Sequence, residues 1–162
     1  MTPFEDHLVE LAARKARAVA LIHAHEFVIA ADTALLFDGR LLGKADNAAA
    51  AIRMLSRLAG RAHRIVTAVY AMAPDGRHAS ATASARVRLR AWPRERIAEY
   101  VRRVRPFYCA GAYAIQDRAG AAIVESIRGD SGTVIGLPPG LVAKILSRLG
   151  YPENTKLRSR KI

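Results

Sequence analysis

The chain has 162 residues, of which 51% are hydrophobic and 25% charged. That length and composition suit one globular domain with its own core and exclude a disordered chain. The formal net charge is +12, which suits a polyanionic partner or substrate, whereas no apolar run approaches the ~20 residues of a membrane span.

The elements follow in chain order. Thr2-Pro3-Phe4-Glu5 places a hydroxyl at the N-cap, proline at the first helical position and glutamate at the third, a capping box. Phe4, Leu8, Leu11, Ala12, Val19 and Ile22 recur at helical spacing, so a helix is expected to about His25. Phe27 to Phe37 reads as a buried strand, Asp38-Gly39 as a turn and Leu41-Leu42 as a brief return. Asp46 is the expected cap of a second helix carried by Ala48, Ile52, Leu55 and Leu58, and Gly60 sits where a helix end favours positive φ. Arg64 to Met72, the Pro74-Asp75-Gly76 turn and the alternating run from Ala79 to Leu89 make a hairpin with one core face and one wet face. Pro93 opens a third helix with Ile97, Tyr100, Val101 and Val104 on its apolar stripe. The glycine-punctuated stretch 109–140 is expected to hold two short strands, and Leu141 to Leu149 a last helix. Interleaved helices and strands with one clear hairpin predict an α/β domain, with a mixed, elongated sheet flanked by helices over residues 1–150. Residues 151–162 read as a basic, fraying tail.

Several residues can carry chemistry. Asp32 stands inside an apolar run, where a carboxylate needs a cation, a metal or a catalytic task. Lys44 follows Gly43 and can swing its ammonium to a phosphate, although a solvated loop lysine would look the same. Gln116 offers both an amide donor and a carbonyl acceptor to a base edge, and Tyr113 can pack or stack. His63 and the single cysteine, Cys109, read as structural, because neither has a partner at catalytic or metal-ligand spacing. Asp130 and Ser131 lie in a glycine-rich turn that can approach a ligand or simply connect two elements. There is no Walker loop, dinucleotide fingerprint or nucleophile elbow.

In order along the chain, LAARKARAVA (11–20), AADTALL (30–36), GRLLGKA (39–45), MLSRLAGRAHRIVTAV (54–69), AGAYAIQ (110–116) and SIRGDSGTVIGLP (126–138) resemble the Maf family. The resemblance implies the fold shared with inosine-triphosphate pyrophosphatases. It also implies hydrolysis of a nucleoside triphosphate to the monophosphate and pyrophosphate with Mg2+ or Mn2+. Carried over residue by residue, it makes Asp32 the catalytic and metal-associated acid and Lys44 the phosphate-neutralising cation. Thr33 and Gln116 become the residues linked to base choice, in the manner of the dTTP/UTP branch. A homodimer is the implied state, while the mixed charge of the first 20 residues, unlike a secretory signal, makes the cytoplasm the expected location.

The chain departs from the family pattern in places. It opens at the long helix, without the usual first strand and Ser-x-Ser-x-Arg-Arg phosphate loop, so a start further upstream is expected. Ala45, Cys109 and Thr133 stand where proline, lysine and asparagine are usual. Two rival readings remain at this point. One is a Maf-like nucleotide-binding or cell-division regulator without turnover. The other is a nucleic-acid binder suggested by charge, which the 6% aromatic content makes unattractive because it leaves few stacking platforms.

Overall fold

A computed structural model describes residues 2–116 and 118–152. Helix α1 (Pro3–Ala20) begins with the expected capping box: Glu5 N donates to Thr2 Oγ1, and Thr2 N donates to Glu5 Oε2. It stops five residues before His25. Leu21 and Ile22 are 84% and 78% exposed, because the chain must leave the helix there to turn back under it. Strand β1 (Val28–Phe37) follows, then β2 (Arg40–Leu42), α2 (Ala48–Leu58), β3 (Ala62–Met72), β4 (His78–Leu89) and α3 (Arg94–Val104). A 3-10 turn (Ala110–Ala112), α4 (Arg118–Ala121), β5 (Val124–Arg128), α5 (Ser131–Ile135) and α6 (Pro139–Arg148) complete the elements of the described residues.

The α/β class is as expected, with five strands in the order β2-β1-β3-β4-β5. Every described ladder is antiparallel, where a mixed sheet was expected. The α2 crossover does return the chain in the direction of β2, but β1 lies between β2 and β3, so the two parallel strands never pair. The cap of α2 is Asn47, whose Oδ1 accepts from Ala50 N at 2.9 Å, one residue later than expected. Among the described residues of the glycine-rich stretch only β5 is a strand, since Gly111 (φ 75°) and Ala112 (φ 58°) break any strand across the AGAYAIQ segment. Tyr151 packs edge-on against Phe27 at 5.0 Å. The basic tail beyond it, residues 153–162, lies outside the described residues.

Strand β3 is buried on both faces. Alternation puts Val66, Ala68 and Tyr70 under α1, against Leu8, Ala12, Ala13 and Ala16. On the opposite face Ile65 joins the main core with Leu35, Leu55, Leu58, Val87 and Ile97. Val69 and Ala71 join a second cluster with Val142, Ile145, Leu146 and Leu149 of α6. Thr67, fully buried, sits between these two clusters. The expected core-and-solvent alternation of β4 holds from Ala85 to Leu89. Nearer its start both faces are partly covered, because α1 and α6 both reach it.

His63 and Tyr113 form a buried polar pair in the main core, with Nε2 and Oη 2.7 Å apart and the rings edge to face. Burial pushes the His63 imidazole down to about 4 and holds the Tyr113 phenol above its usual range. An unfolded histidine binds a proton near pH 6.5, whereas folded His63 refuses it down to about pH 4. Between those values the unfolded state holds more protons, so stability falls as the solution is acidified through that window. Urea unfolding at pH 7 and pH 4.5 should show a loss of about 2 kcal/mol that His63→Phe largely removes.

Gly111 is fixed by packing as well as by its φ. An added Cβ would lie 2.3 Å from Leu35 Cδ1. Gly111→Ala should cost about 2 kcal/mol or more in the same unfolding measurement.

Candidate functional site

Alternation along β1 sends neighbouring residues to opposite faces of the sheet. Asp32 opposes Ala68 and faces α1, while Thr33 opposes Thr67 and faces away from it. Strand β2 pairs only with Leu35 to Phe37. Among the described residues, the β1 edge before Leu35 therefore has a strand on one side only. A cleft of about 320 Å³ opens at that edge, and it reaches groups from both faces.

The four residues singled out from the sequence all line it: Asp32, Thr33, Lys44 and Gln116. They come from β1, the loop before α2 and the loop after the 3-10 turn, segments separated by up to 84 residues in the chain. The two loops are tied together, since Gly111 N donates to Gly43 O at 3.0 Å. Lys44 is exposed at the cleft wall beside Cys109. Burial pushes the Cys109 thiol up, against the pull of the Lys44 charge, so this residue stays a thiol and adds no anion.

Lys15 was not singled out, and the structure adds it. Its ammonium pairs with Asp32 Oδ1 and also donates to Ala31 O at 3.3 Å. The Asp32 side chain is 19% exposed and that of Lys15 55%. Lys15 borders the buried stripe of Ala12 and Ala16. Its position there follows from helical spacing, but its carboxylate partner follows only from how α1 lies on β1.

The opposite wall is polar and neutral. Thr33 Oγ1 is 2.8 Å from Thr67 Oγ1, and Thr67 in turn donates to Thr133 O at 2.7 Å. Gly136 (φ 106°) packs so closely that a Cβ there would lie 3.1 Å from Thr33 Oγ1. The glycine-rich turn thus meets the site through Gly136 and the Thr133 carbonyl. Asp130 instead caps α5, accepting from Gly132 N at 2.8 Å, and with Ser131 it stays outside the cleft lining. Gln116 is exposed at the mouth, where its Oε1 accepts from Ile115 N at 3.1 Å.

Among the described residues no three histidines, cysteines or acids cluster as a metal cage. Among the described residues Asp32 is the one carboxylate lining the cleft, and its Oδ2 accepts no hydrogen bond from them. That donor set fits a hard cation that takes most of its oxygens from phosphates and water, as Mg2+ does.

Comparison with known proteins identifies the family. The profile of the Maf family, described as Maf-like protein, matches residues 2–149. The chain is 43% identical over 146 residues to a dTTP/UTP pyrophosphatase of Symbiobacterium thermophilum, covering 90% of this chain and 74% of that protein. It is 42% identical to the dTTP/UTP pyrophosphatase of Thermococcus gammatolerans, covering 91% and 77%. For the dTTP/UTP pyrophosphatase of Moorella thermoacetica the identity is 43%, covering 86% and 72%. By the extent of the profile match and these identities, the chain belongs to the Maf family.

Proposed function

We propose that this protein hydrolyses a nucleoside triphosphate, with dTTP and UTP preferred, to the monophosphate and pyrophosphate. One observation carries the reading. A single cleft gathers a carboxylate, two lysines from separate elements, a threonine hydroxyl and a glutamine amide. The names of the relatives point to the same reaction.

The chemistry follows from the groups. A triphosphate brings several negative charges, and attack by water at phosphorus adds charge to the equatorial oxygens. Lys44 and Lys15, both lining the cleft, offset that charge. Lys15 also holds Asp32 in place through Oδ1, leaving Oδ2 to accept a proton from the attacking water. A divalent cation, Mg2+ or Mn2+, bound at Asp32 with the phosphates would polarise the anhydride and further lower the charge. Thr33 and Gln116 then face the base. The exposed apolar residues Tyr108, Ile135 and Leu137 lie at or near the cleft. In this reading they form part of a homodimer contact, which light scattering on the purified protein tests.

The test of the activity is pyrophosphate release from dTTP, UTP, CTP, ATP, GTP and 7-methyl-GTP with Mg2+ or Mn2+. Turnover of dTTP and UTP is expected, together with its loss on chelation. Asp32→Asn should lower kcat by about a hundredfold or more while leaving the unfolding curve in place. Lys44→Gln should chiefly raise KM. A folded wild-type protein that releases no pyrophosphate from any of these would refute the reading.

A further inference from the structure

We infer that Thr67, a residue that lines no part of the cleft, sets base selectivity by fixing the hydrogen-bond polarity of Thr33. It makes the site prefer the carbonyl-bearing uracil or thymine edge over the amino-bearing cytosine edge. The inference rests on the nucleotide-binding reading above, and it goes beyond naming the residues that face the base.

A threonine hydroxyl has one proton to donate and lone pairs to accept with. The Thr133 partner of Thr67 is a backbone carbonyl, which can only accept, so Thr67 spends its proton there, at 2.7 Å. The 2.8 Å contact between the two hydroxyls then has one possible direction: Thr33 donates to Thr67. Thr67 is fully buried, so bulk water does not reach its hydroxyl. Reversing the chain would strip the Thr133 carbonyl of this partner in a buried position, which is costly. Thr33 therefore presents its Oγ1 to the cleft as an acceptor.

Gln116 is oriented by the same kind of constraint. The Ile115 N–H can only donate, so the atom facing it at 3.1 Å is Oε1, and the amide NH2 is left to point elsewhere. Thr33 Oγ1 is thus an acceptor at the cleft lining, and Gln116, with Oε1 engaged by Ile115 N, has its amide NH2 left to donate to a bound base.

Uracil and thymine carry an N3–H donor beside the O4 acceptor, which complements that pair. Cytosine carries an unprotonated N3 beside an N4 amino group, which sets acceptor against acceptor and donor against donor. Loss of complementarity of this kind typically changes affinity by roughly tenfold or more. Guanine and hypoxanthine share the carbonyl-and-N–H edge, so the relay sorts bases by edge chemistry and not by ring size.

Calorimetric binding of UMP and CMP tests this without relying on turnover. Wild type should bind UMP at least about tenfold more tightly than CMP. Thr67→Ser keeps the hydroxyl and should keep that ratio. Thr67→Val frees the Thr33 hydroxyl to rotate, and the ratio should collapse toward one, with CMP binding unchanged or tighter. A purely structural role for Thr67 would weaken both nucleotides together and leave the ratio intact, which would overturn the inference. N3-methyl-UMP on the wild-type protein provides a check that needs no variant to fold. It lacks the N3 proton, and should bind at least about tenfold more weakly than UMP, at a level near CMP. Equal binding of UMP and N3-methyl-UMP, or no preference of wild type for UMP, would also overturn it. Pyrophosphate release from UTP, measured alongside, reports separately on the catalytic reading.

Discussion

Thr67 is the point on which the rest of this structure turns. It is a fully buried polar residue at the centre of the central strand, with apolar clusters before and after it on the same face. A hydroxyl there is tolerable only if it is bonded. Its two bonds reach sideways to Thr33 on β1 and across to the Thr133 carbonyl in α5. That one side chain thereby joins the strand that carries Asp32 to the segment that ends in Gly136. Replacing it by an apolar isostere would fill the space, yet leave those two segments without a shared anchor.

The rest of the site follows from where β1 lies. The strand alternates, so Asp32 and Thr33 are separated by the sheet itself. The short β2 covers only the end of β1 and leaves the edge beside Asp32 open. The cleft wraps this edge, so charge handling gathers on the α1 side through Lys15 and Asp32. Neutral hydrogen-bonding groups gather on the other side through Thr33 and Gln116. A substrate with an anionic end and a planar end suits such a division. Lys44 reaches the cleft because Gly43 is bonded to Gly111, and Gly111 can sit there only because it lacks a Cβ.

Much of this was legible in the sequence, for local reasons. The capping box fixed the start of α1, the long alternating runs fixed β3 and β4, and Pro74-Asp75-Gly76 fixed their turn. Local pattern failed where the decisive partner was distant. The apolar spacing of α1 ran on through Ile22, but no surface lies beneath that residue to bury it. Two short strands were expected within 109–140, but the positive φ of Gly111 and Ala112 bends AGAYAIQ around Leu35. Asp32 announced a partner by standing in an apolar run, but nothing in its neighbourhood identified Lys15, seventeen residues earlier. The acceptor character of Thr33 depends on a carbonyl 100 residues later in the chain, which no local signal could supply.

In the proposed reaction, water activated beside Asp32 attacks the α-phosphorus of a nucleoside triphosphate, so that pyrophosphate leaves. Turnover of UTP in 18O-enriched water, read by 31P NMR, tests this directly. The account predicts one 18O atom in the UMP product and unlabelled pyrophosphate. Label appearing in pyrophosphate, or release of orthophosphate with UDP, would place the attack at a different phosphorus and contradict it.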